Sequence, residues 1–239
     1  MAQSWTSEER FIVEHNMNRG IIVVNDKLAE RGFLRTPEAI GRMMRRIKFN
    51  QKMSKNLRIG YLDIESTGLN ADWGKLLTWC VKAKGGKIYF DTIKKKDILS
   101  FKDDQRILRS LVKCMEDNFD HIVTWNGGFT KYGFDLKMIL SRCVKYDIPF
   151  PLYGSLTETD LLIVARRRLK LASYRLEAVA DHLGIKGKTP IDKECWRKGA
   201  IGHTESIMEI LRHNKGDVVV LEEVDKRLKN YHDNQRKVF

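Results

Sequence analysis

No run in this chain approaches the ~18 consecutive apolar residues of a membrane-spanning helix, so no segment reads as a transmembrane span. The four cysteines, Cys80, Cys114, Cys143 and Cys195, form no Cys-x-x-Cys pair and no zinc-type cluster with histidine. They read as reduced core thiols of an intracellular protein. The opening Met-Ala-Gln-Ser-Trp-Thr-Ser-Glu-Glu lacks the basic and apolar regions of a secretory signal, so the expected location is cytoplasmic. Acid is also in short supply: 31 Asp and Glu stand against 44 Lys and Arg, a formal net charge of +13. An excess of that size favours a polyanionic partner, nucleic acid above all. Core-forming residues are ample, since 42% of the 239 residues are hydrophobic. That suits one large domain, or a medium one with a small appendage, and excludes wholesale disorder.

Residues 1–48 differ from the rest. Ser7-Glu8-Glu9 opens a helix, with Ser7 as N-cap and acids in the first turn, and Phe11, Ile12 and His15 give it a semi-apolar face. Arg19-Gly20 stops it, and Asn25 to Arg31 form a second short helix. Thr36-Pro37 starts a third, with Ala39, Ile40, Met43, Met44 and Ile47 facing inward and Arg42, Arg45 and Arg46 largely outside that stripe. Three short helices ending in an arginine-lined one describe a helix-turn-helix unit. Trp5-Thr-x-Glu-Glu followed by LAERGFLRTPEAIGRMMRRI resembles Myb/SANT-like DNA-binding modules. The resemblance implies DNA contacts by Arg35, Arg42, Arg45 and Arg46; a solvated basic face on a small interaction domain is the plainer alternative. Residues 49–56 read as a basic linker without periodicity.

From Leu57 onward the pattern is α/β. Leu57 to Ile64 is apolar on both faces, as in a central strand covered by helices. Lys75 to Ala83 and Lys87 to Thr92 form a hairpin around Lys84-Gly85-Gly86. Helices are expected over 103–116, 161–169, 176–183 and 204–229, with another through Leu136, Ile139, Leu140 and Cys143. A short buried strand runs from His121 to Trp125. The expected fold is a mixed sheet flanked by helices, preceded by a small three-helix domain.

Several acids stand where acids are costly. Asp63 and Glu65, two apart on a strand, leave the same face and repel unless a cation compensates them. A hard divalent ion with oxygen ligands, Mg²⁺ or Mn²⁺, is the natural compensator. Asp135 opens a helix, where the dipole alone would favour an acid, but Phe134 and Leu136 draw it inward. Asp217 interrupts an inward stripe of Ile210, Asn214, Leu221, Val224 and Leu228, with His213 one turn before it. Taken alone, such an acid would ordinarily be salt-bridged.

In order and separation, DIESTGL, WNGGFTKYGFD and HNKGDVVVLEEV resemble the three motifs of the DEDD superfamily of 3′–5′ exonucleases, enzymes with a ribonuclease-H-like fold. DLLIVARRRLKLASYRLEAVADHLGIKGK, between the second and third motifs, looks most like the proofreading domains of family B DNA polymerases and their stand-alone relatives. The resemblance spans roughly residues 57–230. It implies that Asp63, Glu65, Asp135 and Asp217 hold two divalent ions at the scissile phosphate, with His213 as a fifth catalytic residue. It also implies that Thr67, Gly68, Leu69, Asn126 and Phe134 receive the terminal nucleotide. His213 departs from the family pattern: three residues separate it from Asp217, the spacing of the family's tyrosine version, whereas the histidine version typically has four.

The basic runs Lys94–Lys96, Arg166–Arg168 with Lys170, Lys186 with Lys188, and Arg236-Lys237 fit a track for a nucleic-acid backbone. Among the tryptophans, Trp73 and Trp196 could stack bases, whereas packing suits Trp79 and Trp125. The expected activity is exonucleolytic hydrolysis of DNA from single-stranded 3′ ends, without a following polymerase domain, as would suit a phage or mobile element. A ribonuclease, a structure-specific endonuclease and a non-catalytic DNA-binding regulator are the alternatives.

Overall fold

The computed structural model describes residues 5–100, 103–151, 156–186, 191–231 and 237–238; the side chains of residues 46, 48–56 and 237–238 lie outside the description. The chain divides into two compact units, residues 1–57 and 58–239.

In the first unit, helices α1 (Ser7–Asn16), α2 (Ile21–Ala29) and α3 (Pro37–Asn56) enclose a small core of Val13, Val24, Leu28, Ile40 and Met43. The N-cap of α1 is Thr6 rather than Ser7. Thr6 Oγ1 accepts the Glu9 N–H, and the Glu9 carboxylate accepts the Thr6 N–H, a closed capping box. Phe11, expected inward, is exposed and stacks on His15, while Val13 and Met17 turn to the core. The second helix begins at Ile21, right after Gly20, which adopts φ 100. Thr36 caps α3 and Pro37 occupies its first position, as the sequence indicates. The expected linker over 49–56 is instead the continuation of α3.

The second unit is built on a mixed sheet of six strands, in the order β3-β2-β1-β4-β5-β6 among the described residues. Here β1 is Ile59–Ser66, β2 Leu76–Ala83, β3 Ile88–Thr92, β4 His121–Thr124, β5 Thr157–Asp160 and β6 Lys237–Val238. β1 pairs antiparallel with β2 and parallel with β4, so it lies inside the sheet. Its side chains alternate between two cores. Leu62 and Ile64 join Ile107, Leu111, Leu136 and Ile139 of helices α5 (Gln105–Asn118) and α6 (Asp135–Lys145). Tyr61 joins Leu161, Val179 and Val218 on the other face. Those residues come from α7 (Leu161–Arg168), α8 (Leu176–His182) and α10 (Thr204–Leu228). Asp63 and Glu65 share the parity of Tyr61 and therefore leave β1 toward α10.

Among the described strands and α-helices, four have no counterpart in the sequence reading. They are β5, β6, α4 (Lys95–Leu99), which takes up part of the Lys94–Lys96 run, and α9 (Lys193–Ala200). β5 escapes hydrophobic periodicity because its inward residues are Glu158 and Asp160, both buried.

Candidate active site

The site is assembled on β1, the first turn of α6 and the middle of α10. A register shift between Glu65 and Ser66 in the pairing of β1 with β2 ends the regular ladder at the second acid. Bulges of this kind re-aim side chains at the rims of sheets. Asp135 reaches β1 from α6: its Oδ1 accepts the Ile64 N–H at 3.1 Å, between the two strand acids. Burial pushes the Asp135 carboxyl up to about 7, with repulsion from Glu65 and Asp160 adding to the effect.

From α10, Asn214 Nδ2 donates to Asp63 Oδ2 at 2.5 Å. His213 Nε2 lies 3.8 Å from Glu65 Oε1 and 3.9 Å from Asp217 Oδ2. Glu65, His213 and Asp217 each offer a ligand atom, all within 4.8 Å of one another. The spacing that departs from the family pattern thus still brings the imidazole between two carboxylates. Buried acids crowded in this way need positive charge to ionise together. Hard oxygen donors with one imidazole fit Mg²⁺ or Mn²⁺, so the residues present suit a divalent cation.

The turn after β4 fixes Asp135. Asn126 adopts φ 61, its carbonyl accepts the Phe134 N–H at 2.7 Å, and the Gly127 carbonyl accepts the Leu136 N–H at 2.8 Å. A Cβ on Gly127 would stand 2.5 Å from Asp135 Oδ2, so only glycine lets the carboxylate lie against the turn. Beneath the turn, Asp160 Oδ1 accepts the Asn126 N–H at 2.8 Å and that of Leu162 at 3.0 Å, and Glu158 accepts that of Phe129. Burial raises the Asp160 carboxyl, against the pull of these backbone donors. Sequence reasoning gave Asp160 and Glu158 no role. Their only signal was a pair of acids two apart on a short segment next to a helix start.

A cleft of ≈ 420 Å³ opens beside the acids, lined by Glu65, Thr67, Gly68, Leu69, Phe134, Lys193 and Trp196 among others. Four of the five residues expected at the terminal nucleotide therefore line one cavity. The fifth, Asn126, does not line it and serves as the turn residue described above. α9 supplies the unforeseen wall. Trp196 Nε1 donates to Glu65 Oε2 at 3.1 Å, and the indole stands edge-on to His213 with ring centroids 6.0 Å apart. Lys193 brings a cation to the same cavity. Lys215 instead covers the Phe90 ring at 3.4 Å.

In the N-terminal unit, Arg42 and Arg45 are exposed, and the side chain of Arg46 lies outside the described residues. Arg35 corrects the expectation. It is largely buried, donates twice to Glu9 and lies over the Trp5 ring, so it is engaged within its own unit. That guanidinium pulls the Glu9 carboxyl down to about 2. Of the other basic runs, Lys94–Lys96, Arg166–Arg168, Lys170 and Lys186 are exposed; Lys188 and the Arg236-Lys237 side chains are outside the description.

A mixed sheet carrying inward acids on its central strand and on the closing helix defines a class, the ribonuclease-H-like nucleases. The family model of the RNase_H superfamily matches residues 60–229, and the chain belongs to that superfamily. Among solved structures, the chain is similar to the family B DNA polymerase of the hyperthermophilic archaeon Pyrobaculum calidifontis, with a TM-score of 0.59 and 18% identity. The match covers 72% of this chain and 24% of the polymerase. No curated protein matches.

Proposed function

We propose that this protein is a divalent-metal-dependent 3′–5′ exonuclease that hydrolyses DNA from single-stranded 3′ ends. The observation that carries the reading is the cluster of Glu65, His213 and Asp217, whose ligand atoms lie within 4.8 Å of one another, with Asp63 held by Asn214 of the same helix, Asp135 held on the Ile64 N–H of the same strand, and Glu65 lining the adjoining cleft. Asp63, Glu65, Asp135 and Asp217 would hold the ions, His213 lying within reach as a further donor. Bound there, the ions would polarise the scissile phosphate and favour the hydroxide form of the attacking water. The protein's own share is positioning and proton handling. His213 lies between Glu65 and Asp217, within reach of a water held at the ions, so its imidazole can accept the proton of the attacking water. The cleft binds the last nucleotide: Leu69 and Phe134 offer apolar surface to the base and sugar, and Lys193 offers charge to the phosphate.

The exposed Arg42 and Arg45 on α3 support a helix-turn-helix reading in which the first unit tethers the nuclease to duplex DNA. The test uses end-labelled single-stranded DNA, duplex DNA and RNA with Mg²⁺, Mn²⁺ or EDTA. A ladder shortening from the 3′ end of single-stranded DNA, lost with EDTA, is the expected result. Preference for RNA would move the reading to a ribonuclease, and internal cuts to an endonuclease. DNA binding with no cleavage under any metal would leave a regulator.

A further inference from the structure

Three of the four acids share one kind of support. Asp63 Oδ2 takes an N–H from Asn214, Glu65 Oε2 one from Trp196, and Asp135 Oδ1 one from the Ile64 backbone. Each donor is uncharged and each occupies one oxygen of its carboxylate. Asn214 is the informative member. It is 0% exposed, and its Oδ1 is buried without a hydrogen-bond partner among the described residues. A buried carbonyl left unpartnered carries a desolvation penalty. Leucine would fill the same helical position without that penalty and with better helix propensity. The fold therefore gives no reason for an amide here. The alternative amide orientation would set Oδ1 against Asp63 Oδ2, two acceptors at 2.5 Å, so the donor must face the acid.

We infer that Asn214 is a positioning residue for the divalent ion: by donating to Oδ2 of Asp63 it fixes the orientation in which that carboxylate meets the metal. The inference rests on the metal-dependent reading of the site. An uncharged donor suits this task. It orients the carboxylate and favours its ionised form, yet brings no positive charge to compete with the cation. Asn214 also lies three residues before Asp217 on one face of α10, so the helix that carries one acid orients another on β1. Trp196 stands in the same relation to Glu65, but it lines the cleft as well, and changing it would mix two effects.

The experiment titrates the full-length wild type and Asn214→Leu with Mn²⁺ alone, reading free Mn²⁺ by electron paramagnetic resonance, and melts both proteins without metal. The expected result is Mn²⁺ affinity reduced about 10–100-fold, with the metal-free Tm unchanged or raised. In the Asp63→Asn background the same substitution should cause no further loss, because the carboxylate it positions is gone. Asn214→Ser, whose hydroxyl is too short to reach Asp63, should repeat the loss and covers the case of a poorly folded leucine variant. Unchanged affinity in both variants overturns the inference, as does a loss that adds fully to that of Asp63→Asn, or one matched by a collapse of the metal-free Tm. A wild type that binds no Mn²⁺ overturns the inference together with the metal-dependent reading. The expected Mn²⁺ pattern in a protein that cuts no nucleic acid supports the inference and overturns the exonuclease reading alone.

Discussion

Burial raises the Asp135 carboxyl from 3.8 to about 7, which fixes how the site responds to pH. An acid with a raised folded-state value holds its proton more tightly in the folded protein. The stability this contributes is full below about 4 and is lost as pH rises through about 7. A divalent ion bound there would take over the proton's task once the carboxylate ionises. The gain in Tm on adding Mg²⁺ should therefore grow between pH 6 and 8, as melts with and without metal would read. A gain independent of pH would count against Asp135 as a ligand. At His213 the expectation concerns rate. His213→Ala should lower kcat by about 10²–10⁴, the usual worth of a positioned base, with the metal-free melt little changed. The acids were legible in the sequence because an acid on an apolar stripe is costly and therefore conspicuous. Asn214 was equally inward but neutral, so only its contact with Asp63 reveals a task.

At the scale of elements, the loop from Thr67 to Lys75 is held from beneath. Asp104 and Arg142 form a fully buried ion pair. Arg142 Nη1 donates to the Ala71 carbonyl at 3.0 Å, and Asp104 Oδ2 accepts the Leu76 N–H at 2.8 Å. Across the loop, the Thr67 N–H donates to the Lys75 carbonyl at 3.0 Å. Arg142→Met would leave Asp104 buried and uncompensated, at a cost of about 3–5 kcal/mol in a denaturant melt. Adding Asp104→Asn should restore part of that. The loop so held presents Leu69 and Trp73, the latter 87% exposed. Trp73→Ala should raise KM for single-stranded DNA about tenfold, the loss of one stacked base at ~1–3 kcal/mol, and leave kcat unchanged.

Legibility varied by element for physical reasons. β1, β2, α5 and α10 carry strong apolar patterns and were readable to within a few residues. β5 is Thr-Glu-Thr-Asp, a strand whose inward acids hold the Asn126–Phe129 turn, and polarity hid it. α9 has few apolar positions, yet it supplies Trp196 and Lys193. α3 runs on through a stretch whose polar composition read as linker.

Over the whole molecule, the excess of positive charge matters most for association. Each phosphate neutralised releases a counterion, so affinity falls with salt in proportion to the contacts made. Replacing Arg42 and Arg45 together by Gln should weaken DNA binding and reduce the salt slope by about two, without changing cleavage of short oligonucleotides. An unchanged slope would remove the first unit from the DNA-binding account.

The central claim is that the acids on β1, α6 and α10 form one metal-dependent site acting on a 3′ end. It is tested most directly with 5′-end-labelled single-stranded DNA, incubated with Mg²⁺ and wild-type protein, Asp63→Asn or Asp217→Asn. The account predicts a ladder of progressively shortened products with the wild type. Either variant should slow it by about three orders of magnitude, some 4 kcal/mol, and EDTA should abolish it. Equal cleavage by wild type and both variants, or cleavage that survives EDTA, would contradict it.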